Sequence, residues 1–225
     1  PLEEIIRRSK AAGARTLIDA AQLVAHDVLD AQQLQPDFLT FSGHKIFAPM
    51  GVGVLYIRDE ILRDLPPFLG GGDMIETVTK EGFTPAEVPR RFEAGTVPLG
   101  DIHGLRVALD WLQTFDRALL HQYEASLLSS VREGLQALDG VRILGPDQPV
   151  GCISFTVEGV HPHDLTEMLG REGICLRAGH HCAQILHREL GVQATTRLSV
   201  APYNVQEDID QFFAILPRAI SLLQK

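Results

Sequence analysis

Several things are scarce in this chain. Among 225 residues there are three cysteines, three methionines, one tryptophan and one asparagine, and aromatic residues make up only 6%. Cys152, Cys175 and Cys182 form an odd, sparse set, and Asn204 does not lie in an Asn-x-Ser/Thr sequon. Nothing therefore points to a disulfide scaffold or an exported glycoprotein, and a reducing cytosol is the expected compartment. No run approaches the roughly 18 consecutive apolar residues of a membrane span, and no basic, apolar, small-residue opening of the secretory kind leads the chain. Basic residues are the minority: 20 Lys and Arg against 29 Asp and Glu leave a formal net charge of −9. That balance argues against a nucleic-acid surface. What is plentiful is apolar side chain, at 45% of residues, enough to fill the core of one large domain or two modest ones and inconsistent with disorder.

The chain starts at Pro1, not Met, and enters directly on a helical pattern of Leu2, Ile5 and Ile6 with Glu3 and Glu4 in the first turn, closing at Gly13. We expect a segment upstream to belong with it. Thr16-Leu17-Ile18-Asp19 then reads as a buried parallel strand with a carboxylate at its end. Phe38-Leu39-Thr40-Phe41 is a second strand that stops at Ser42-Gly43-His44-Lys45, and Gly53 to Arg58 is a third, set to pair antiparallel with it. This is the grammar of an α/β sheet whose chemistry sits beyond the strand ends. Pro66 to Pro98, rich in Gly and Pro, predicts a long loop of the functional kind. Two helices follow, through Ile102 to Leu112 and Leu120 to Leu138, and connect to a second α/β lobe. That lobe is predicted as strands at Val141–Leu144, Cys152–Val157 and Thr196–Val200, helices at His163–Gly170 and through Ile209 to Ile220, and an extended piece at Ile174–Arg177.

A lysine placed between Gly43-His44 and the apolar Ile46-Phe47 is partly desolvated, which makes Lys45 a candidate nucleophilic amine; the plain alternative is a lysine snorkelling from a strand end. Its company favours chemistry. Asp19 ends the neighbouring strand, Gln22 lies three residues on, and Ser42 and His44 flank the lysine. Pyridoxal phosphate requires such a set: a carboxylate for the ring nitrogen, a donor for the ring oxygen, a lysine for the aldehyde and small polar donors for the phosphate. Cys182 stands in Arg177-Ala178-Gly179-His180-His181-Cys182-Ala183, where neighbouring His or Arg charge stabilises a thiolate. Zinc held by His180, His181, Cys182 and His187 is the competing reading, disfavoured because structural sites space their ligands in separated pairs. An ordinary buried role suits Cys152 and Cys175. Arg197, among apolar strand residues, needs an anionic partner, either a substrate carboxylate or an internal carboxylate.

Six segments in this order resemble the cysteine desulfurases of the SufS type, the second group of that family, within the class V aminotransferase fold of pyridoxal-phosphate enzymes. They are D-A-A-Q from Asp19, S-G-H-K from Ser42, G-G-G-D-M-I from Gly70, R-F-E-A-G-T from Arg91, R-A-G-H-H-C-A from Arg177 and R-L-S from Arg197. The resemblance implies a fold type I α/β protein, with residues 1–115 the C-terminal part of a large cofactor-binding domain and 116–225 a small α/β domain carrying the reactive cysteine loop. By the same resemblance Lys45 would hold the cofactor through its aldehyde, Asp19 would pair with the ring nitrogen and Gln22 would contact the ring oxygen. Ser42 and His44 would bind the phosphate, Thr96 would reach the phosphate of a neighbouring subunit in a homodimer, and Arg197 would clamp the carboxylate of L-cysteine. Cys182 would take the substrate sulfur as a persulfide, leaving L-alanine, and pass it to an acceptor of the SufE or SufU kind for iron-sulfur cluster assembly in the cytoplasm. No metal, nucleic acid or membrane enters this picture.

Two departures and two alternatives stand beside it. The family's upstream stretch, which supplies a phosphate-cradling turn and a histidine that stacks on the ring, is not in this sequence. Ile185 also replaces a proline that commonly follows the cysteine segment. A selenocysteine lyase or a desulfurase of the CsdA kind shares nearly all these residues, with His180-His181-Cys182 tilting towards the SufS type. A non-catalytic fragment that keeps the fold without cofactor is the alternative from another class.

Overall fold

Glu3 and Glu4 at the start and Arg8 and Lys10 at the end of α1 (Leu2–Ala11) complement the helix dipole, Ile6 is buried, and Gly13, at φ +72°, releases the chain. In this computed structural model residues 1–224 are described, and the chain falls into two units, Pro1–Arg117 and the residues from Ala118 onward.

In the first unit β1 (Leu17–Asp19) leads through α2 (Leu23–His26) and α3 (Ala31–Leu34) to β2 (Phe38–Ser42). These strands pair in parallel, Leu17 with Phe38 through Asp19 with Thr40. β3 (Gly53–Ile57) pairs antiparallel with β2, Phe38 opposite Ile57 through Ser42 opposite Gly53, completing the order β1-β2-β3. The parallel and antiparallel pairings both match the sequence expectation. β1 is less buried than expected, however: Ile18 is enclosed while Leu17 and Asp19 are exposed. Beyond α4 (Asp59–Leu62), the Gly- and Pro-rich stretch is not all loop. β4 (Ile75–Val78) and β5 (Phe83–Pro85) form a hairpin, and a single 3-10 turn covers Arg90–Phe92. α5 (Leu99–Leu112) lays Leu105, Ala108 and Leu112 against Ala25, Ile46 and Ala48.

The second unit begins with α6 (Arg117–Gln136), whose Leu127, Leu128, Val131 and Leu135 are buried at helical spacing. Next come β6 (Val141–Leu144), β7 (Cys152–Val157), α7 (Pro162–Arg171), β8 (Arg177–Gly179), α8 (Gln184–Glu189), β9 (Thr195–Ser199) and α9 (Gln206–Leu223). The four strands form an antiparallel sheet in the order β6-β7-β9-β8. The extended piece expected at Ile174–Arg177 lies further along, at Arg177–Gly179, because its ladder partners are Arg197 to Thr195. Ile153, Phe155 and Val157 alternate inward along β7 and join Leu198 and the apolar faces of α6, α7 and α9 in one core. Strand alternation sends Thr195 and Arg197 of β9 to the opposite face of the sheet, with Ser154 and Arg177 opposite Arg197.

Candidate functional site

Five of the residues singled out in the sequence lie at one end of the first sheet. Asp19 closes β1, is exposed, and uses Oδ1 to accept a hydrogen bond from the Ala21 N–H at 3.0 Å, an Asx turn that leads into α2. Gln22, also exposed, is the residue before α2 and its side chain makes no capping bond. The strands are parallel and in register, Asp19 beside Thr40, so Ser42 follows two residues further along at the same edge. Ser42 spends nothing on capping the 3-10 turn Gly43–Ile46 that it precedes. His44 in that turn is exposed and Lys45 half-buried.

The turn itself is firmly held. Gly43 donates to the Val52 carbonyl at 2.9 Å, and a Cβ on Gly43 would meet Val52 Cγ1 at 2.8 Å, so only glycine lets the backbone approach β3 this closely. Ile46 is 1% exposed between α2 and α5. Its burial contributes about 1.5–3 kcal/mol, which offsets the roughly 1–2 kcal/mol of placing Phe47 in the left-handed region, where φ is 70°. Phe47 also packs edge-on to Trp111 at 5.3 Å between ring centroids. Lys45 is thus carried on a rigid turn, and no ion pair engages it among the described residues. Thr96 sits apart from this group: it is exposed, on the segment that Gly95 ties to the Gly72 carbonyl at 2.8 Å.

The remaining residues belong to the second unit. Ala183 N–H donates to the His180 carbonyl at 2.8 Å across His181 and Cys182, whose φ angles are 51° and 64°. Two successive left-handed residues inside a four-residue turn are the pattern of a type I′ turn, where Asn-Gly is the usual occupant. Here a histidine and a cysteine take those places, at about 1–2 kcal/mol each. Cys182 is left exposed at the corner, and Nη2 of Arg177 lies 4.0 Å from its sulfur. Cys175 departs from expectation: it is exposed, because Ile174 and Leu176 on either side take the inward positions.

Arg197 is the most telling residue of this unit. It stands directly opposite Arg177 in the ladder, an arrangement of like charges that destabilises the sheet unless an anion compensates. Yet among the described residues neither arginine has a carboxylate partner, and the Arg197 Nε is buried without an acceptor. The internal ion pair offered as the alternative is not formed.

Behind the turn, Nε2 of His181 lies 2.9 Å from the Thr195 hydroxyl, and the same hydroxyl lies 3.1 Å from Nε2 of His187, whose Nδ1 is 2.9 Å from the Ala183 carbonyl. Burial, then the guanidinium charges of Arg197 and Arg177 and the neighbouring His187, push the His181 imidazole below its ordinary value, against an opposing hydrogen bond to the Thr195 backbone. Of the His or Arg charge that the sequence suggested beside the thiol, Arg177 is the one within contact distance of the sulfur. No three His, Cys, Asp or Glu side chains among the described residues gather as metal ligands, and His187 is committed to Ala183 and Thr195. Sequence reasoning passed over Arg177 and Thr195 as site residues and weighed His187 only as a zinc ligand. The signal for Arg177 was available in its place on the strand next to Arg197, whereas the other two required a contact between separated segments.

The chemistry of the first group suits pyridoxal phosphate: an uncommitted lysine, a strand-end carboxylate with one oxygen free, and an unengaged hydroxyl meet at one sheet edge. Comparison with known proteins agrees. The Aminotransferase class-V family matches residues 1–212. A probable cysteine desulfurase 2 of Mycobacterium leprae (strain TN) is 44% identical over 223 residues, 98% of this chain and 53% of that protein. The cysteine desulfurase CsdA of Escherichia coli, solved in its S-sulfonic acid form, superposes with a TM-score of 0.95 at 39% identity, covering 99% of this chain and 55% of CsdA. A mutant of C-DES with glycine covalently linked to its PLP cofactor superposes at 0.81 with 27% identity, over 96% of this chain and 56% of that one. The chain spans about half the length of the curated relatives it matches.

Proposed function

We propose, since this chain belongs to the class V aminotransferase family, that it is part of a pyridoxal-phosphate-dependent cysteine desulfurase that converts L-cysteine to L-alanine. The observation that carries this reading is an exposed thiol on a strained turn beside two arginines that lack a carboxylate. The names borne by its relatives support the same reaction.

Bound pyridoxal phosphate supplies an aldehyde for an amine and a protonated ring that accepts an electron pair. Lys45 holds that aldehyde and afterwards moves a proton at Nζ; Asp19 keeps the ring nitrogen protonated, and Gln22 donates to the ring oxygen. Ser42 and His44 hold the phosphate, and Thr96 serves the phosphate of a second subunit. Arg197 takes the substrate carboxylate in its planar fork. The Cys182 thiolate then attacks the substrate sulfur, an S–S bond forming as the C–S bond breaks. The bonding pair stays with the substrate carbon, which takes up a proton and leaves as L-alanine, while Cys182 carries a persulfide.

Nearest to hand for that persulfide is an acceptor protein of the SufE or SufU kind, in a SufS-like homodimer feeding iron-sulfur assembly in the cytoplasm. No helix among the described residues is long and apolar enough to cross a membrane. The test uses the full-length natural protein with pyridoxal phosphate. Lys45→Ala removes the visible absorption band, whereas Cys182→Ala keeps the band and loses sulfide and alanine release from cysteine. Unchanged turnover in Cys182→Ala defeats the assignment.

A further inference from the structure

Two cations without acids stand beside the thiol. Arg177 and Arg197 are directly opposed in the β8–β9 ladder, so their side chains leave the same face of the sheet from Cβ atoms about 5 Å apart. From Arg177 to Ser199 the sequence holds three arginines and a single carboxylate, Glu189. Among the described residues neither Arg177 nor Arg197 pairs with an acid. Arg197 is half-buried, its Nε enclosed without an acceptor, whereas Arg177 is exposed and its Nη2 lies 4.0 Å from the Cys182 sulfur. Once L-alanine leaves, both guanidiniums are again without a counter-anion, next to a sulfur that is open to solvent.

A persulfide on Cys182 is itself an anion, and an anionic nucleophile that attacks its outer sulfur brings further negative charge beside it. In water the two repel; next to two guanidiniums that repulsion is offset. The corner thus favours a small anion with oxygens for a planar fork and a lone pair on its central atom for the sulfur. Sulfite has both. We propose that this corner passes persulfide sulfur to sulfite as well as to a protein, releasing thiosulfate. The sulfite lone pair forms an S–S bond to the outer persulfide sulfur as the S–S bond to Cys182 breaks. The bonding pair leaves on Sγ as thiolate, beside Nη2 of Arg177. Sulfite sulfur is oxidised, the persulfide is reduced to thiolate, and neither a proton nor an outside oxidant is consumed. The proposal rests on the desulfurase reading as the source of that persulfide.

The experiment uses full-length holoenzyme loaded with L-cysteine or, separately, with inorganic polysulfide; Cys182→Ser loaded in the same way subtracts sulfur carried elsewhere. Thiosulfate formed from sulfite is compared with phosphine sulfide formed from a neutral nucleophile, tris(hydroxypropyl)phosphine, in the parent, Arg177→Gln and Arg177→Lys. Because Arg177 is exposed and faces a like charge, replacing it leaves the fold intact, which circular dichroism checks. The ratio of sulfite rate to phosphine rate is expected to fall about tenfold in Arg177→Gln, the size of one charge-assisted hydrogen bond. It should recover in large part in Arg177→Lys and decline with added salt in the parent. No thiosulfate beyond that of Cys182→Ser, or a ratio equal in the parent and Arg177→Gln, overturns the proposal. Polysulfide-loaded protein that makes thiosulfate with this Arg177 dependence, while L-cysteine loads nothing, sinks the desulfurase reading and leaves the transfer to sulfite standing.

Discussion

Asp37→Asn probes the end of the first sheet opposite Lys45. The carboxylate is 2% exposed; Oδ2 accepts from the Thr16 N–H at 2.7 Å and the Thr16 hydroxyl at 3.2 Å, and Oδ1 from Arg58 at 2.7 Å and Arg15 at 3.2 Å. These partners precede β1 and follow β3, so one side chain clamps all three strands at one end and sets the register that places Asp19, Ser42 and Lys45 at the other. Burial disfavours its ionisation, and the Thr16 amide, Arg15, the Thr16 hydroxyl and Arg58 together outweigh it, so Asp37 titrates below the usual carboxylate range. An asparagine amide must face donors on one side. Facing Arg58 it forfeits a charge-assisted bond of about 1.5–3 kcal/mol, and facing Thr16 it strands a buried N–H at about 1–3 kcal/mol, so the loss is about 2–3 kcal/mol either way. Arg15, 65% exposed at its side chain, adds little. Trp111, the single tryptophan, lies in α5 of the same unit, so its fluorescence during urea unfolding reports this region. With an m-value of about 1–3 kcal/mol per molar, the midpoint falls by about 1 M. Because the folded value is depressed, the stabilisation is complete at pH 7, above the unfolded carboxylate value of about 3.9, and is lost as pH falls through the folded value. The gap between parent and variant must therefore narrow in acid; an equal gap at pH 7 and below pH 3, or none at pH 7, refutes the reasoning.

Gly43→Ala drives a methyl into Val52 Cγ1 and the Val52 carbonyl, and overpacking of this kind costs about 1–3 kcal/mol; a lower melting temperature and weaker pyridoxal phosphate binding by absorbance titration are expected. For His181 the sign is the reverse of a paired histidine. Its folded value lies below the unfolded value of about 6.5, so the second unit keeps full stability above that pH and loses it as pH falls through the folded value. Melting temperatures from pH 7.5 to 5 should drop more steeply in the parent than in His181→Gln, and parallel curves would remove His181 as the cause.

Patterns with a clear period survived into the structure. The Thr16–Asp19 and Phe38–Phe41 runs became paired strands, and the helical spacings through Leu105 and Leu127 became α5 and α6. The β4–β5 hairpin left no such trace, because its residues are exposed on both faces and carry no alternation; its pairing comes from backbone bonds alone. Cys175 was misjudged for a different reason: apolar neighbours suggest burial by average, while Ile174 and Leu176 take the inward positions and leave Cys175 outward. Lys45, Asp19 and Cys182 were visible by type and company. That Arg197 has no internal carboxylate, and that His181 is tied through Thr195 to His187, depend on contacts across 8 to 14 residues and on which groups stay unpaired, which no local pattern encodes.

The turn that displays Cys182 carries a consequence for how this protein can change. At φ 64° the residue best suited to position 182 is glycine, and at φ 51° position 181 would favour asparagine or glycine. The easiest gains in robustness at this corner are thus the substitutions that delete the nucleophile or its neighbouring imidazole. Random drift scored on folding alone would erase the sulfur chemistry first, so a thiol retained at this corner marks a chain held there by its work and not by its stability.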